Sequence, residues 1–184
     1  MKRIVTLNLN PEMQNEQLSP HFTLKEFTKS PTAIKLGIKN IPPQEVVENL
    51  KRLCKGTLEP LREKLGLPII ITSGFRTKAL NDKLSHSSER SQHMLGCAAD
   101  FYVSQGAVQG SEFKVQSRRE LLIKAFRLII TSEQIDYDQL ILYPSFIHVS
   151  YVSKEKNRHG ILIARSDGKL GYGRITLANA LKIS

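Results

Sequence analysis

Ser91-Gln92-His93-Met94-Leu95-Gly96-Cys97-Ala98-Ala99-Asp100 sets a histidine and an aspartate seven residues apart, around a glycine and a run of small residues. The stretch from Ala98 to Val103 reads as a strand, with Asp100 and Tyr102 on one face and Phe101 and Val103 on the other. A second histidine, His148, stands in the strand-like Phe146-Ile147-His148-Val149-Ser150 and shares a face with Phe146 and Ser150. Strands of one sheet can bring such distant side chains together. Two imidazoles and one carboxylate suit an open Zn²⁺ site, in which three protein ligands leave a fourth position for water or substrate. Closed structural zinc sites normally take four ligands, often thiolates, and the two cysteines here, Cys54 and Cys97, lack that spacing. The same donor set would accept other divalent ions.

Outward from this stretch, helices and short strands alternate without internal repeats or low-complexity segments. Residues 1 to about 20 are polar and aperiodic, and read as a loosely held arm ahead of a single domain over 21–184. Thr23 with Glu26 makes a capping box for a short helix through Phe27, and Ser117 with Glu120 makes another for a helix to about Ser132. Ser30-Pro31 opens a further turn that Gly37 can close. After Pro42-Pro43, Val46, Val47, Leu50, Leu53, Cys54, Leu58, Leu61 and Leu65 recur at helical steps, and Pro60 is expected to kink or divide that helix. Pro68 to Thr72 is an apolar, β-branched run, hence a buried strand whose end delivers Ser73-Gly74-Phe75-Arg76 to a loop. Gln139 to Tyr143 and Phe146 to Val152 predict a hairpin around Pro144-Ser145, and a last hairpin about Asp167-Gly168 falls within 160–184. The class is α+β: a small, mainly antiparallel sheet with helices packed largely on one side.

Composition bounds the partners. The chain has 184 residues, enough for one domain with a sizeable core. It has no apolar run near the length of a membrane span and no sustained apolar segment near Met1, so neither a span nor a secretory signal is expected. That reading predicts a cytoplasmic protein, or one released to the cell wall by a lysis route. The formal net charge of +10 favours an anionic partner such as a cell-wall polymer. Apart from Lys154-Glu155-Lys156-Asn157-Arg158-His159, the basic residues are scattered, and no aromatics interleave with them as in a single-strand or RNA-binding module, which argues against nucleic acid. Cys54 and Cys97 read as buried thiols, although spacing leaves a disulfide between them open. Nothing in the pattern sets an oligomeric state.

Several blocks occur in an order that resembles the zinc D-Ala-D-Ala carboxypeptidases, with the vancomycin-resistance D,D-dipeptidases and the Hedgehog signalling domain as distant structural relatives. They are His21-Phe22-Thr23-Leu24-Lys25-Glu26-Phe27, Ile71-Thr72-Ser73-Gly74-Phe75-Arg76-Thr77, Asn81, the segment from Ser91 to Asp100, and Asp138-Gln139-Leu140-Ile141 leading to Ile147-His148-Val149-Ser150. The resemblance implies a Hedgehog/D,D-peptidase-like fold and a zinc metallopeptidase acting on peptidoglycan peptides. It implies that His93, Asp100 and His148 bind zinc, that Arg76 holds the substrate's carboxylate or polarises the scissile carbonyl, and that Ser91 contacts substrate. A guanidinium suits the first role, since it is always charged and meets a carboxylate through two parallel hydrogen bonds.

The chain departs from that family at one point. The carboxylate that activates water in related enzymes lies three or six residues before the last histidine, where this sequence has Ser145 and Leu142. Neither accepts a proton near neutral pH. Phe146 stands where many relatives have a polar residue. Asp138, which precedes the same strand with even spacing to Leu142, is the first candidate to replace the missing base, ahead of Glu89, His86 and Tyr143. General acid–base help is worth about 10²–10⁴-fold in rate, so its loss would cripple catalysis without abolishing it. The alternative to a peptidase is therefore a catalytically impaired zinc domain that binds cell-wall peptide or a protein.

Overall fold

Asp100 and His148 face each other across two antiparallel strands, and the sheet around that pair organises the molecule. The computed structural model describes residues 16–85, 87–105, 117–164 and 172–183. Among the described residues the main sheet has six strands, β3 (Ile69–Ser73), β4 (Ala98–Val103), β5 (Gln139–Leu142), β6 (Ile147–Ser150), β7 (Gly160–Ala164) and β8 (Tyr172–Arg174), in the order β3-β4-β6-β5-β7-β8. All its pairings are antiparallel except β5 with β7. Both expected hairpins form. The turn of the last one, about Asp167-Gly168, lies outside the described residues.

Strand parity divides the sheet into two unlike faces. Ala99, Phe101, Leu140, Leu142, Ile147 and Val149 are all buried on one face, joined in a single apolar cluster with Leu50, Leu53, Leu58, Leu61, Leu121, Leu122 and Phe126 of the helices. Each such Leu or Phe contributes about 1.5–3 kcal/mol relative to exposure. Asp100, His148 and Ser150 alternate with these residues and so occupy the other face. The architecture is α+β, as expected, and is compatible with the Hedgehog/D,D-peptidase-like fold.

Local sequence sets most of the element ends. The helices among the described residues are α1 (Leu24–Thr28), α2 (Pro31–Leu36), α3 (Gln44–Leu53), α4 (Glu59–Leu65), α5 (Lys78–Asn81), α6 (Arg118–Thr131) and α7 (Leu177–Ala180). Glu26 accepts from the Thr23 N–H at 2.7 Å, and Glu120 accepts from the Ser117 N–H at 2.7 Å, so both expected capping boxes hold their helices. Gly37 ends α2 in the left-handed region. Pro60 does divide the long amphipathic helix, through a π turn over Cys54–Leu58 that separates α3 from α4.

The expected arm needs one correction. Its first fifteen residues lie outside the described set, but Gln17–Ser19 form β1 and pair with β2 (Phe22–Thr23), and Leu18 is buried in the core. An isolated leucine among polar residues has no periodicity to betray it. Cys54 and Cys97 are both buried free thiols. Among the described residues no helix is long and apolar enough to cross a membrane.

Candidate metal centre

The turn that carries His93 is built from the stretch quoted first. Gln92–Leu95 form a 3₁₀ turn that Gly96 closes in the left-handed region, at φ 68°. A side chain on Gly96 would also meet the Val46 carbonyl oxygen at 2.6 Å, so glycine is required twice over. His93 is 3% exposed, and its Nδ1 lies 2.7 Å from the Gly74 carbonyl oxygen. That contact places the ring proton on Nδ1 and turns the Nε2 lone pair toward the sheet, the arrangement that orients many metal-ligating histidines. Gly74 can approach because it has no side chain: a Cβ there would stand 2.6 Å from Phe27 Cα and from the Phe27 carbonyl oxygen.

Three electron-pair donors converge on the sheet face. His93 Nε2 lies 3.3 Å from His148 Nδ1 and 3.4 Å from Asp100 Oδ1, and His148 Nδ1 lies 2.8 Å from the same Asp100 oxygen. All three donor atoms fall within 4.8 Å of one another, a group that could hold a metal ion. Ligands about 2.05 Å from a tetrahedral zinc stand about 3.3 Å apart, so two of the three separations already match and the third is shorter. Burial pulls the His93 imidazole toward its neutral form. Burial favours the neutral form of Asp100 as well, raising its pKa, but the two histidines outweigh it and hold the carboxyl well below the usual carboxylate range. Neutral imidazole and ionised carboxylate are the forms that bind metals. The sequence pattern named these three residues, and the structure brings them together.

Arg76 joins them. Its Nη2 donates to Asp100 Oδ2 at 3.2 Å, and Nη2 and Nε donate to Ser73 Oγ at 3.1 and 3.2 Å. Its backbone N–H donates to the His93 carbonyl oxygen at 3.2 Å, tying the loop after β3 to the 3₁₀ turn. Burial lowers the guanidinium pKa against the pull of Asp100 and Tyr143, yet arginine stays charged in proteins. The Nη1 edge of the fork makes no hydrogen bond among the described residues. Ser73, which the sequence reading left unassigned, is thus the anchor that orients Arg76. Its place three residues before the arginine was the available signal.

Ser91 is half-buried at the start of the 3₁₀ turn, and none of its described hydrogen bonds reaches the three ligands. Leu142 is 1% exposed on the core face of the sheet, pointing away from the site. Ser145 is exposed in the hairpin turn, and Tyr143 and Phe146 stack across that turn with ring centroids 4.1 Å apart. His86 lies outside the described residues.

Asp138 belongs to a separate network. Arg158 Nε and backbone N–H donate to its Oδ1 at 2.8 and 2.9 Å, and Arg158 Nη2 and Gln92 Nε2 donate to Oδ2 at 2.5 and 2.8 Å. Burial raises its pKa, but the hydrogen bonds from Arg158 and Gln92 prevail and hold it at about 2. A carboxylate so held is a poor proton acceptor near neutral pH. The role of general base expected for Asp138 does not agree with this placement. Sequence reasoning missed the cause, Arg158, because twenty residues separate the two.

His93, Asp100 and His148, on the sheet face opposite the apolar core and with Arg76 on the carboxylate, form a group that could hold a metal ion. The chain belongs to the Peptidase M15 family, whose model matches residues 20–133. That span contains Arg76, Ser91, His93 and Asp100 and ends before His148, which the fold supplies. No curated protein matches the chain.

Proposed function

We propose that the protein is a zinc-dependent metallopeptidase that cleaves peptidoglycan stem peptides, as a D,D-carboxypeptidase or endopeptidase. One observation carries the reading: three metal-binding atoms from His93, Asp100 and His148 converge while Arg76 is held on the carboxylate of that same group. The chemistry zinc supplies in such a site is Lewis-acid polarisation of a carbonyl and acidification of water. Arg76, oriented by Ser73 and Asp100, offers its remaining N–H edge to the substrate's terminal carboxylate or to the developing oxyanion. Ser91, which opens the turn that carries His93, is the proposed polar contact to substrate. Tyr143 and Phe146 stack on each other in the turn that precedes His148, and Tyr143 lies in electrostatic reach of Arg76.

A second reading is a zinc-holding domain that binds cell-wall peptide, or another protein, without turnover. It is favoured by the burial of Leu142 in the core and by the occupation of Asp138 by Arg158. Digestion of purified peptidoglycan and defined stem peptides by the zinc-loaded protein, followed by mass spectrometry with His93→Ala alongside, separates the two. Products formed only by the intact site support the peptidase, and their masses name the bond. Stoichiometric zinc without cleavage leaves the binding domain.

A further inference from the structure

Asp138 is 1% exposed, yet five donors share its carboxylate: Gln92 Nε2, three N–H groups of Arg158, and Ser150 Oγ at 3.4 Å. Those donors come from three separate segments. Gln92 immediately precedes His93 and begins its 3₁₀ turn. Ser150 follows His148 by two residues on β6, on the same strand face. Arg158 lies in the connection before β7, its side chain 61% exposed. The Asp138 N–H also donates to the Ser150 carbonyl oxygen at 2.7 Å, and Ser150 Oγ accepts from the Gln139 N–H at 3.1 Å. One buried carboxylate therefore ties the turn that carries one histidine to the strand that carries the other. A buried anion is tolerated only when its lone pairs are filled, and here they are.

We infer that Asp138 is a positioning residue that sets the spacing of His93 and His148 through Gln92 and Ser150, and that Arg158 is the surface cation that keeps it charged in the interior. The inference rests on the reading that the histidine–aspartate–histidine group binds a divalent ion. It assigns Asp138 a part in ligand geometry and removes it from proton transfer. Outer hydrogen bonds of this kind govern metal affinity because a donor displaced by a few tenths of an ångström loses much of its bond to the ion.

The test measures zinc affinity by calorimetry, with chelator competition, on wild type, Gln92→Ala, Asp138→Asn and Ile129→Ala, each also melted metal-free. Ile129 is buried on α6 at the other face of the sheet, so its truncation destabilises the protein without touching the network. The expected result is a loss of about 10- to 100-fold in zinc affinity for Gln92→Ala and Asp138→Asn, with Ile129→Ala close to wild type. Gln92→Ala keeps the test valid where Asp138→Asn fails to fold, because Gln92 is half-buried and outside the core. Unchanged affinity in the folded network variants overturns the inference, as does an equal loss in Ile129→Ala. Failure of wild type to bind zinc overturns instead the metal reading beneath it.

Discussion

Gly74 does two jobs, and the second leaves no room for a side chain. It accepts from the His93 ring at 2.7 Å, and it lies so close to Phe27 that a Cβ would overlap the backbone. Gly74→Ala is expected to cost about 1–3 kcal/mol through overpacking. For a domain of this size that is roughly 2–4 °C in Tm for each kcal/mol, read by thermal melts. The missing base also belongs to this scale. Leu142→Glu, which follows the position of the related enzymes, would bury a carboxylate in the apolar core and cost roughly 3 kcal/mol or more. Ser145→Glu enters an exposed turn and is expected to fold as wild type. If proton transfer limits turnover, peptide cleavage by Ser145→Glu rises by up to about 10²-fold, the low end of what a general base supplies. A fall in rate would show that some other group already takes the proton.

At the scale of elements, the Asp138–Arg158 pair joins the start of β5 to the connection ahead of β7, and Gln92 adds the 3₁₀ turn. Its effect on stability has a definite sign. The carboxyl is held at about 2 in the folded protein and returns to about 3.9 on unfolding, so the folded state favours the ionised form. The contribution, roughly 2 kcal/mol, is complete above about pH 4 and disappears as pH falls toward about 2. Urea unfolding of wild type and Asp138→Asn across this range is expected to give a gap near neutral pH that closes in acid. A gap that stays constant with pH would mean the pair adds no charge-dependent stability. The divided helix belongs here too: Pro60 offers no N–H, and the π turn at Cys54–Leu58 absorbs the break while Leu50, Leu53, Leu58 and Leu61 stay buried.

For the molecule as a whole, a site assembled from β4, β6 and a turn exists only when the chain is folded, so ion binding adds to stability. Zinc at about a hundred times its dissociation constant is expected to add about 2.7 kcal/mol. In a domain of this size that raises Tm by roughly 5–11 °C, and a chelator reverses it. His93→Ala leaves two of the three ligands and is expected to show no such rise. Differential scanning calorimetry with and without metal checks both. A rise of equal size in His93→Ala would move the binding site away from this cluster.

The local pattern was enough for the elements and for the identity of the converging group. Capping boxes at Thr23 and Ser117 and the alternation from Ala98 to Val103 act over a few residues, and a sequence displays such signals directly. The pairing of His93 with Asp100 and His148 was legible through ligand chemistry and the order of motifs. What tertiary structure decided was register and long-range charge. Strand parity assigns Leu142 and His148 to faces only after β5 is aligned with β6, so the burial of Leu142 in the core could not be read from spacing to the histidine. Spacing along the strand makes Asp138 the first candidate for the base, and only the fold brings Arg158 onto it. The sequence records that both charges exist, but a hydrogen bond depends on distance in space, and only the packed fold brings an exposed loop cation onto a buried anion.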